Sequence, residues 1–185
     1  MGCSNHNISV QQNPDILKTL TVPLYTNNKD NNNIYIDDYR MRAILKHNYY
    51  RSLHNSPELQ INKNLNEIAQ EYAKKLIDKN NYKDYDINIY NDTFLGQNVI
   101  ISTKMTPEDM CLKWYNEGAE YDYKLNKYQN NKGHFTQIIW KNTKEVGFGF
   151  HLNDSGIFCG VAVYFPAGNI LGEYANNIQA PHNDF

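Results

Sequence analysis

The pattern of apolar and polar positions divides the chain into a tail, a helical part and a strand-rich part. Residues 1–33 are rich in asparagine and lack apolar periodicity, which is typical of a segment that cannot repay the entropy of ordering. We therefore predict a flexible tail over 1–33 and a folded domain over 34–185. Within the domain, apolar residues recur first at helical and later at strand spacing, which indicates an α+β fold.

The first predicted helix covers residues 36–54. Apolar residues at helical intervals place Tyr39, Ile44, Leu45 and Tyr49 near one another, and we expect this group to form the buried face. The rest of the segment is mostly charged or polar, as in a helix that packs on a core along one side.

Two further helices have clear start signals. In the second, Asn64 is the expected cap and Glu67 the residue that reaches back to it, ahead of an apolar face that extends to residue 76. In the third, Thr106 caps and Pro107 takes the first helical position, and the helix is predicted to run to about Tyr121.

Three strands are predicted in the last third of the chain. Their sequences are "HFTQIIW" (134–140), "VGFGFH" (146–151) and "IFCGVAVYF" (157–165), with "NDSG" (153–156) as a turn between the last two. His134 would stand at the start of the first of these strands. The segment "LGQN", which contains Gln97, stands at the end of a long predicted loop that leads to Gly96.

Composition and charge exclude several classes of function. The chain has 185 residues, of which 41% are hydrophobic, and this length suits one globular domain with a tail. Its formal net charge of −2 gives no basic field, so we expect no nucleic-acid partner. No apolar run is long enough for a membrane span.

The cysteines do not indicate a disulfide framework. There are only three, and one of them, Cys3, lies in the predicted tail. Cys111 and Cys159 are therefore expected to be small core residues rather than disulfide partners or reactive thiols.

The first residues, "MGCSNH", carry an acylation signal. Gly2 follows the methionine, as N-myristoylation requires, and Cys3 lies where a second acyl chain is commonly added. His6 departs from the motif, which has Ser or Thr there. One myristoyl chain binds a bilayer only marginally, so palmitoylation of Cys3 is the expected second anchor. We therefore expect localisation to the cytoplasmic face of a membrane: Golgi, plasma membrane or another.

Three segments carry a family resemblance. "GHFTQIIWKNT" (133–143) and "VAVYFPAGNILGEYANNI" (161–178) resemble the two signature segments of the CAP superfamily, which comprises cysteine-rich secretory, antigen 5 and pathogenesis-related proteins. "ILKHNYYRSLHNSPEL" (44–59) is similar to the first-helix motif of that family. The resemblance implies an α-β-α sandwich, with a three-stranded antiparallel sheet between helical layers.

The lack of disulfide cysteines indicates which branch of the family the chain resembles. In this respect the chain is most similar to the intracellular branch typified by the Golgi-associated pathogenesis-related protein. That branch is bound to membranes through an acylated N-terminus and binds lipid.

The resemblance also implies a candidate metal site. The family cavity commonly presents two histidines and two glutamates, a set that suits Zn²⁺. Carried over to this chain, two of the four positions are Glu117 and His134. Gln97, which the resemblance places in a turn, replaces an expected glutamate, and only Asp84 or Asp86 lies near the missing histidine. A weakened zinc site is one interpretation, and a structural hydrogen bond between His134 and Glu117 is the other.

These observations lead to three hypotheses. The first is a non-enzymatic protein without an assigned catalytic residue or cofactor, which is acylated and binds membrane lipids or a sterol. The second is a metal-dependent hydrolase or protease that uses the reduced His/Glu set. The third is a protein-interaction module that forms a homodimer or binds a protein partner.

Overall fold

The computed structural model of the protein describes residues 32–78, 89–103 and 105–182. The helices are α1 (Asn32–Leu53), α2 (Lys63–Asp78), α3 (Pro107–Asn116), α4 (Gly133–Ile139) and α5 (Tyr174–Asn177). The strands are β1 (Gln60–Ile61), β2 (Ile89–Tyr90), β3 (Thr93–Phe94), β4 (Gly96–Ser102), β5 (Glu145–Leu152) and β6 (Phe158–Phe165). A 3-10 turn, Glu117–Glu120, directly follows α3.

The main sheet has the strand order β1-β5-β6-β4. Strands β4, β5 and β6 are antiparallel, and the short β1 adds a parallel pair on the outer side of β5. The sheet is therefore mixed and four-stranded, whereas we expected three antiparallel strands. A strand of two residues such as β1 has no apolar pattern of its own, which is why the sequence did not reveal it.

Helices cover both faces of this sheet. One face packs against α1, α3 and α4 in a large core cluster that includes Phe148, Phe150 and Tyr164. The other face packs against α2 in a second cluster that includes Val161 and Val163. The alternation of side chains along β6 thus divides its residues between two cores. The expected α-β-α sandwich is confirmed.

The segment at 134–140 is helical, so the prediction of a strand there was wrong. Helix α4 begins at Gly133, and all residues from Phe135 to Trp140 are buried. A short helix that is buried on all sides has a continuous apolar run instead of a helical period, and such a run cannot be distinguished from a buried strand. The β-branched and aromatic residues of this run added to the strand signal.

The segment that contains Gln97 is also different from the prediction. Instead of a turn, it forms the start of β4, where Gln97 lies opposite Val163 of β6. The prediction of a turn at 153–156 is confirmed, because Asn153 accepts hydrogen bonds from the backbone of Ser155 and Ile157 and the turn joins β5 to β6.

The predicted helix starts were correct in one case and displaced in the other. Thr106 caps α3 in a full capping box with Asp109. For α2, the side chain of Asn62, rather than that of Asn64, accepts the hydrogen bonds from the first backbone N–H groups. Asn62 was missed because an asparagine two positions later fits the same local pattern.

The buried face of α1 is more polar than predicted. Tyr39 and Ile44 are buried, but Leu45 and Tyr49 are exposed, so their assignment to the core was wrong. Two polar residues of α1, His47 and Arg51, are buried instead, and so is His54, which directly follows the helix. None of the helices in the described ranges combines the length and the apolar character that crossing a membrane requires.

Candidate functional site

The candidate site is built around the hydrogen-bonded pair of Glu117 and His134. Glu117 lies in the 3-10 turn after α3, and His134 lies in the first turn of α4. The Nδ1 atom of His134 is 2.6 Å from Oε1 of Glu117, and the backbone N–H of His134 donates to Oε2 at 3.1 Å. Both oxygens of the carboxylate therefore contact the same residue.

This geometry defines the role of each ring nitrogen of His134. Since a carboxylate oxygen can only accept, Nδ1 carries the proton and donates. Within the described part of the chain, Nε2 has no hydrogen-bond partner, and the side chain is 39% exposed. The indole ring of Trp114 stacks beside the imidazole at 6.0 Å between ring centroids. His134 is thus a fixed imidazole with one accessible nitrogen.

A buried chain of hydrogen bonds leads from His134 into the core. The side-chain amide of Asn98 donates to the carbonyl of His134 at 3.0 Å and to the hydroxyl of Tyr164 at 3.1 Å. The hydroxyl of Tyr164 lies 2.8 Å from Nε2 of His47, and Nδ1 of His47 lies 2.9 Å from the carbonyl of Ala43. Because the carbonyl accepts from Nδ1, Nε2 is an acceptor and Tyr164 donates to it.

Burial keeps the members of this chain neutral. Desolvation lowers the pKa of His47 to about 4, with a further decrease from the charge of Arg51. Burial raises the pKa of Tyr164 well above its ordinary value, and burial also raises that of the Cys111 thiol. The Sγ atom of Cys111 is 3.3 Å from Nδ1 of His47. Among the described residues, the free cysteines Cys111 and Cys159 are both buried, as the sequence predicted.

Two buried polar atoms beside His134 have no hydrogen-bond partner among the described residues. They are Oδ1 of Asn98 and Nε1 of Trp114. One is an acceptor and the other a donor, and each belongs to a residue that contacts His134. Sequence reasoning missed both residues, although Asn98 directly follows Gln97. The signal that could have found it is strand alternation, which places neighbouring residues on opposite faces.

Comparison with known proteins identifies the family. The profile of the Cysteine-rich secretory protein family, CAP, matches residues 44–165. This chain belongs to the CAP family. The human protein named Golgi-associated plant pathogenesis-related protein 1 is 34% identical to it over 146 residues, which cover 77% of this chain and 94% of the human protein. Protein PRY2 of Saccharomyces cerevisiae is 32% identical over 149 residues, but the match covers only 41% of the yeast protein.

Solved structures of similar proteins have the same fold. The structure of Schistosoma mansoni venom allergen-like protein 4 aligns with a TM-score of 0.56 at 22% identity, covering 70% of this chain and 89% of that one. The structure of BmVAL-1 aligns with a TM-score of 0.61 at 20% identity, covering 78% and 82%. At such identities the likeness concerns the fold alone.

The CAP domain brings together only part of the site that the sequence predicted. His134 and Glu117 are in direct contact, but Gln97 is an exposed residue on β4. Since Asn98 faces α4, the pleat directs the side chain of Gln97 to the other face of the sheet. Asp84 and Asp86 lie outside the described residues.

The described residues of the CAP domain do not make a zinc site by themselves. They contain no group of three His, Cys, Asp or Glu side chains that could hold a metal ion. Both oxygens of Glu117 contact His134, and Nε2 of His134 is the accessible ring nitrogen of this pair. A structural zinc ion needs about four such donors. The lipidation residues, Gly2 and Cys3, lie outside the described residues.

Proposed function

We propose that this CAP-domain protein is non-enzymatic and is held at the cytoplasmic face of a membrane by acyl chains on Gly2 and Cys3, where it binds lipid. The single observation that favours a non-enzymatic role is the double contact of Glu117 with His134. Each oxygen of the carboxylate accepts from one donor of His134, the backbone N–H or the ring N–H, which is the arrangement of a structural contact.

The contact has a structural explanation that needs no reaction. The backbone N–H groups in the first turn of a helix have no partner within the helix. Lys132, the cap residue of α4, provides no side-chain hydrogen bond, and Glu117 supplies the missing acceptor from another element. A carboxylate at this end of a helix also interacts favourably with the helix dipole. Glu117 and His134 thus join α3 to α4.

The membrane part of the proposal rests on the first residues and on a relative. "MGC" offers Gly2 for myristoylation and Cys3 for palmitoylation, with Met1 taken as the initiator. The human relative that is 34% identical is named Golgi-associated. Two acyl chains provide the stable attachment that a single chain does not.

Exchange of the acylated residues tests the anchor. The full chain with Gly2→Ala is expected to move from the membrane pellet to the soluble fraction, and Cys3→Ser is expected to weaken attachment while leaving myristate on Gly2. Mass spectrometry of the N-terminal peptide checks both modifications. A Gly2→Ala protein that still pellets with membranes to the same extent would overturn the proposed anchor. Ser4→Ala serves as the matched control, since it leaves both acceptors intact.

Lipid binding by the domain is tested separately from anchoring. Protein produced in bacteria without a myristoyltransferase carries no acyl chain on Gly2, so any lipid bound to it is held by the domain. We expect lipid extracts of this purified protein, after incubation with labelled phospholipid or sterol, to contain lipid in a fixed ratio to protein. A ratio equal to that of a non-binding control protein would refute this part of the proposal.

A metal-dependent hydrolase is the second candidate, and the geometry of His134 favours it. Histidines that ligate a metal commonly donate their second ring N–H to a carboxylate, as His134 does to Glu117. Zinc titration by calorimetry on the full chain, with His134→Ala as the comparison, separates the two candidates. Stoichiometric binding that disappears in His134→Ala would favour the hydrolase, and equal titrations would eliminate it.

A further inference from the structure

Two loops next to the candidate site expose apolar side chains to solvent. In the loop 123–132, which precedes α4, Leu125 is 47% exposed and Tyr128 is 49% exposed. In the turn Ile170–Glu173, which follows β6, Leu171 is 82% exposed, the largest value among the exposed large hydrophobic residues described. Exposed apolar side chains that lie together, unlike those scattered singly, mark an interaction surface.

The backbone holds Leu171 at the apex of a tight turn. The N–H of Glu173 donates to the carbonyl of Ile170 at 3.1 Å, and Gly172 has a φ of 86°. This is the arrangement of a type II turn, in which the third residue needs a positive φ and the second residue points outward. Leu171 is the second residue of this turn, so the geometry of the turn fixes its side chain in an exposed position.

The first loop is also held in a fixed shape. The side chain of Gln129 accepts from the N–H of Asp122 at 3.0 Å and donates to the carbonyl of Asp122 at 2.7 Å, which closes the loop at its base. Tyr123 packs on the buried ring of Tyr121 at 4.9 Å between centroids. Leu125 and Tyr128 are thus carried by an ordered loop, which reduces the entropy that binding would cost.

The two loops lie next to each other. Asn169, which immediately precedes the turn, donates to the carbonyl of Gly133 at 3.0 Å and accepts from the hydroxyl of Thr136 at 2.6 Å. Gly133 directly follows the first loop. In addition, Tyr128 of the first loop is close enough to Tyr174, which follows the turn, to influence it electrostatically. The exposed apolar residues of both loops therefore belong to one surface.

The charge of this surface differs from that of the whole chain. Residues 123–132 contain three lysines, Lys124, Lys127 and Lys132, and no acidic residue, although the chain carries a formal net charge of −2. Glu173 is the one carboxylate within the loop 123–132 and the turn Ile170–Glu173, so the two segments together carry three lysines and one acidic residue. Asp122 directly precedes the loop and accepts a hydrogen bond from the N–H of Lys124. Apolar side chains next to lysines are typical of segments that enter the interface of an anionic bilayer.

We propose that the loop 123–132 and the turn Ile170–Glu173 form a docking surface for an anionic lipid bilayer, into which Leu125 and Leu171 insert while the lysines contact the head groups. This inference rests on the proposed membrane-bound function and names the surface that it uses. The side chains project from loop tips and are flanked by lysines, which suits a bilayer interface better than a flat protein partner with a continuous apolar area. Docking here places His134 next to the membrane surface.

The experiment uses the full chain from bacteria without a myristoyltransferase, so that the acyl anchor cannot contribute. Binding to vesicles of phosphatidylcholine, with and without about 30% phosphatidylserine, is measured by flotation at low and high salt. We expect binding only to the anionic vesicles and weaker binding at high salt. The double variant Leu125→Ser and Leu171→Ser is expected to bind at least about tenfold more weakly, because burial of two leucines is lost.

Matched controls separate the surface from general effects. Leu45→Ser removes a leucine of comparable exposure, 63%, from α1 and should leave binding unchanged. Exchange of both Lys124 and Lys127 for glutamine should reduce binding by about fivefold per lysine, whereas Lys63→Gln on α2 should not. Circular dichroism checks that each variant is folded.

Three outcomes would overturn the inference. One is equal binding to neutral and anionic vesicles, another is equal loss in the Leu45→Ser control, and the third is vesicle binding that the loop variants do not reduce. Light scattering adds a further check on the oligomeric state. If the protein is a dimer that dissociates in Leu171→Ser and does not bind vesicles, the surface contacts a second copy of the chain instead of a bilayer. Release of the acylated protein by Gly2→Ala tests the anchor alone, so the two proposals can fail independently.

Discussion

The imidazole of His47 lies 2.8 Å from the hydroxyl of Tyr164, in the interior between α1 and β6. Both side chains are fully buried, and neither makes an ion pair there. His47 is held neutral by desolvation, which lowers its pKa to about 4 from an ordinary value of 6.5. This relationship makes the stability of the domain depend on pH.

The pH dependence has a definite sign. Between pH 6.5 and about 4, the unfolded chain binds a proton at His47 and the folded chain does not. The contribution of this residue is therefore fully present above pH 6.5 and is lost as the pH falls toward 4, at a total cost of up to about 3 kcal/mol. We expect the free energy of unfolding, measured in urea at a series of pH values, to decrease over this range.

Two variants separate titration from packing. His47→Gln should flatten the pH dependence, leaving the smaller contribution of His54, whose pKa burial also lowers. Tyr164→Phe removes the hydroxyl but leaves His47 buried, so it should lower stability by about 1–2 kcal/mol at pH 7 and keep the slope. An unchanged slope in His47→Gln would show that another group titrates.

Arg51 provides a second prediction, because its buried guanidinium donates to backbone carbonyls and to no side chain among the described residues. It contacts the carbonyls of Pro57, Ile138, Trp140 and Thr143 at 2.6–3.0 Å. Burial lowers its pKa to about 10, so it remains charged at neutral pH.

Lysine cannot reproduce the planar fork of Arg51, so Arg51→Lys is expected to lower the free energy of unfolding by about 3–5 kcal/mol. Chemical denaturation at pH 7 measures this change. The control is Arg42→Lys, which alters a partly exposed pair with Glu108 and should cost less than about 1 kcal/mol. Equal losses in both variants would contradict the role assigned to the buried carbonyl contacts.

The elements that the sequence predicted well are those with a short local signal at their ends or a regular alternation of buried and exposed residues. Helix α3 begins at the expected cap, Thr106, since a capping box is contained within four residues. The hairpin of β5 and β6 was predictable because its turn residues, Asn153 and Gly156, fit only a turn. The three segments of family resemblance then gave the layered architecture.

Elements that are buried on all sides were less predictable. Helix α4 has no exposed side chain from Phe135 onward, so its sequence has no polar positions that would reveal a helical period. On α1, His47 and Arg51 occupy core positions because tertiary partners satisfy their polar groups, and hydropathy alone cannot anticipate such partners. Leu45 was assigned to the core because the prediction used hydropathy alone, and the structure exposes it.

Half of the candidate site could be predicted. The family resemblance identified Glu117 and His134, and the structure places them in contact. Asn98 and Trp114 were not found, since their relation to His134 depends on how β4 and α3 pack around α4. Such packing is a tertiary property without a local pattern.

The close approach of α2 to the sheet gives a third prediction. A Cβ atom on Gly147 would overlap the backbone of Leu65 and Asn66, and one on Gly149 would overlap the backbone of Ala69. Because backbone atoms cannot rotate away, Gly147→Ala should displace α2 and lower the free energy of unfolding by about 3 kcal/mol.

Gly133→Ala is the control for this prediction. Gly133 is the first residue of α4. The atom nearest to an added Cβ would be Nδ2 of Asn169, at 3.9 Å. The change should be neutral or stabilising by up to about 1 kcal/mol, because alanine is the better helix former. Thermal and urea unfolding measure both variants, and a destabilised Gly133→Ala together with a normal Gly147→Ala would refute the packing argument.

The last prediction concerns Glu117, which we interpret as the acceptor for the N-terminus of α4. Glu117→Ala leaves the N–H of His134 without its partner and should lower the free energy of unfolding by about 1–2 kcal/mol. Glu117→Gln keeps an oxygen acceptor for this N–H, so it should recover part of the loss. Hydrogen exchange gives the local readout, since the amide of His134 should exchange faster in Glu117→Ala than in Glu117→Gln.

The same pair of variants distinguishes a structural from a catalytic role for Glu117. If Glu117 acts only by holding α4, both variants should keep vesicle binding and lipid content as long as they are folded, and the stability of Glu117→Gln should lie between that of Glu117→Ala and that of the unaltered protein. A general base, in contrast, loses its function when its carboxylate becomes an amide, because an amide does not take up a proton near neutral pH. Hydrolysis of an ester or peptide substrate that disappears in Glu117→Gln, with stability retained, would therefore contradict the non-enzymatic proposal.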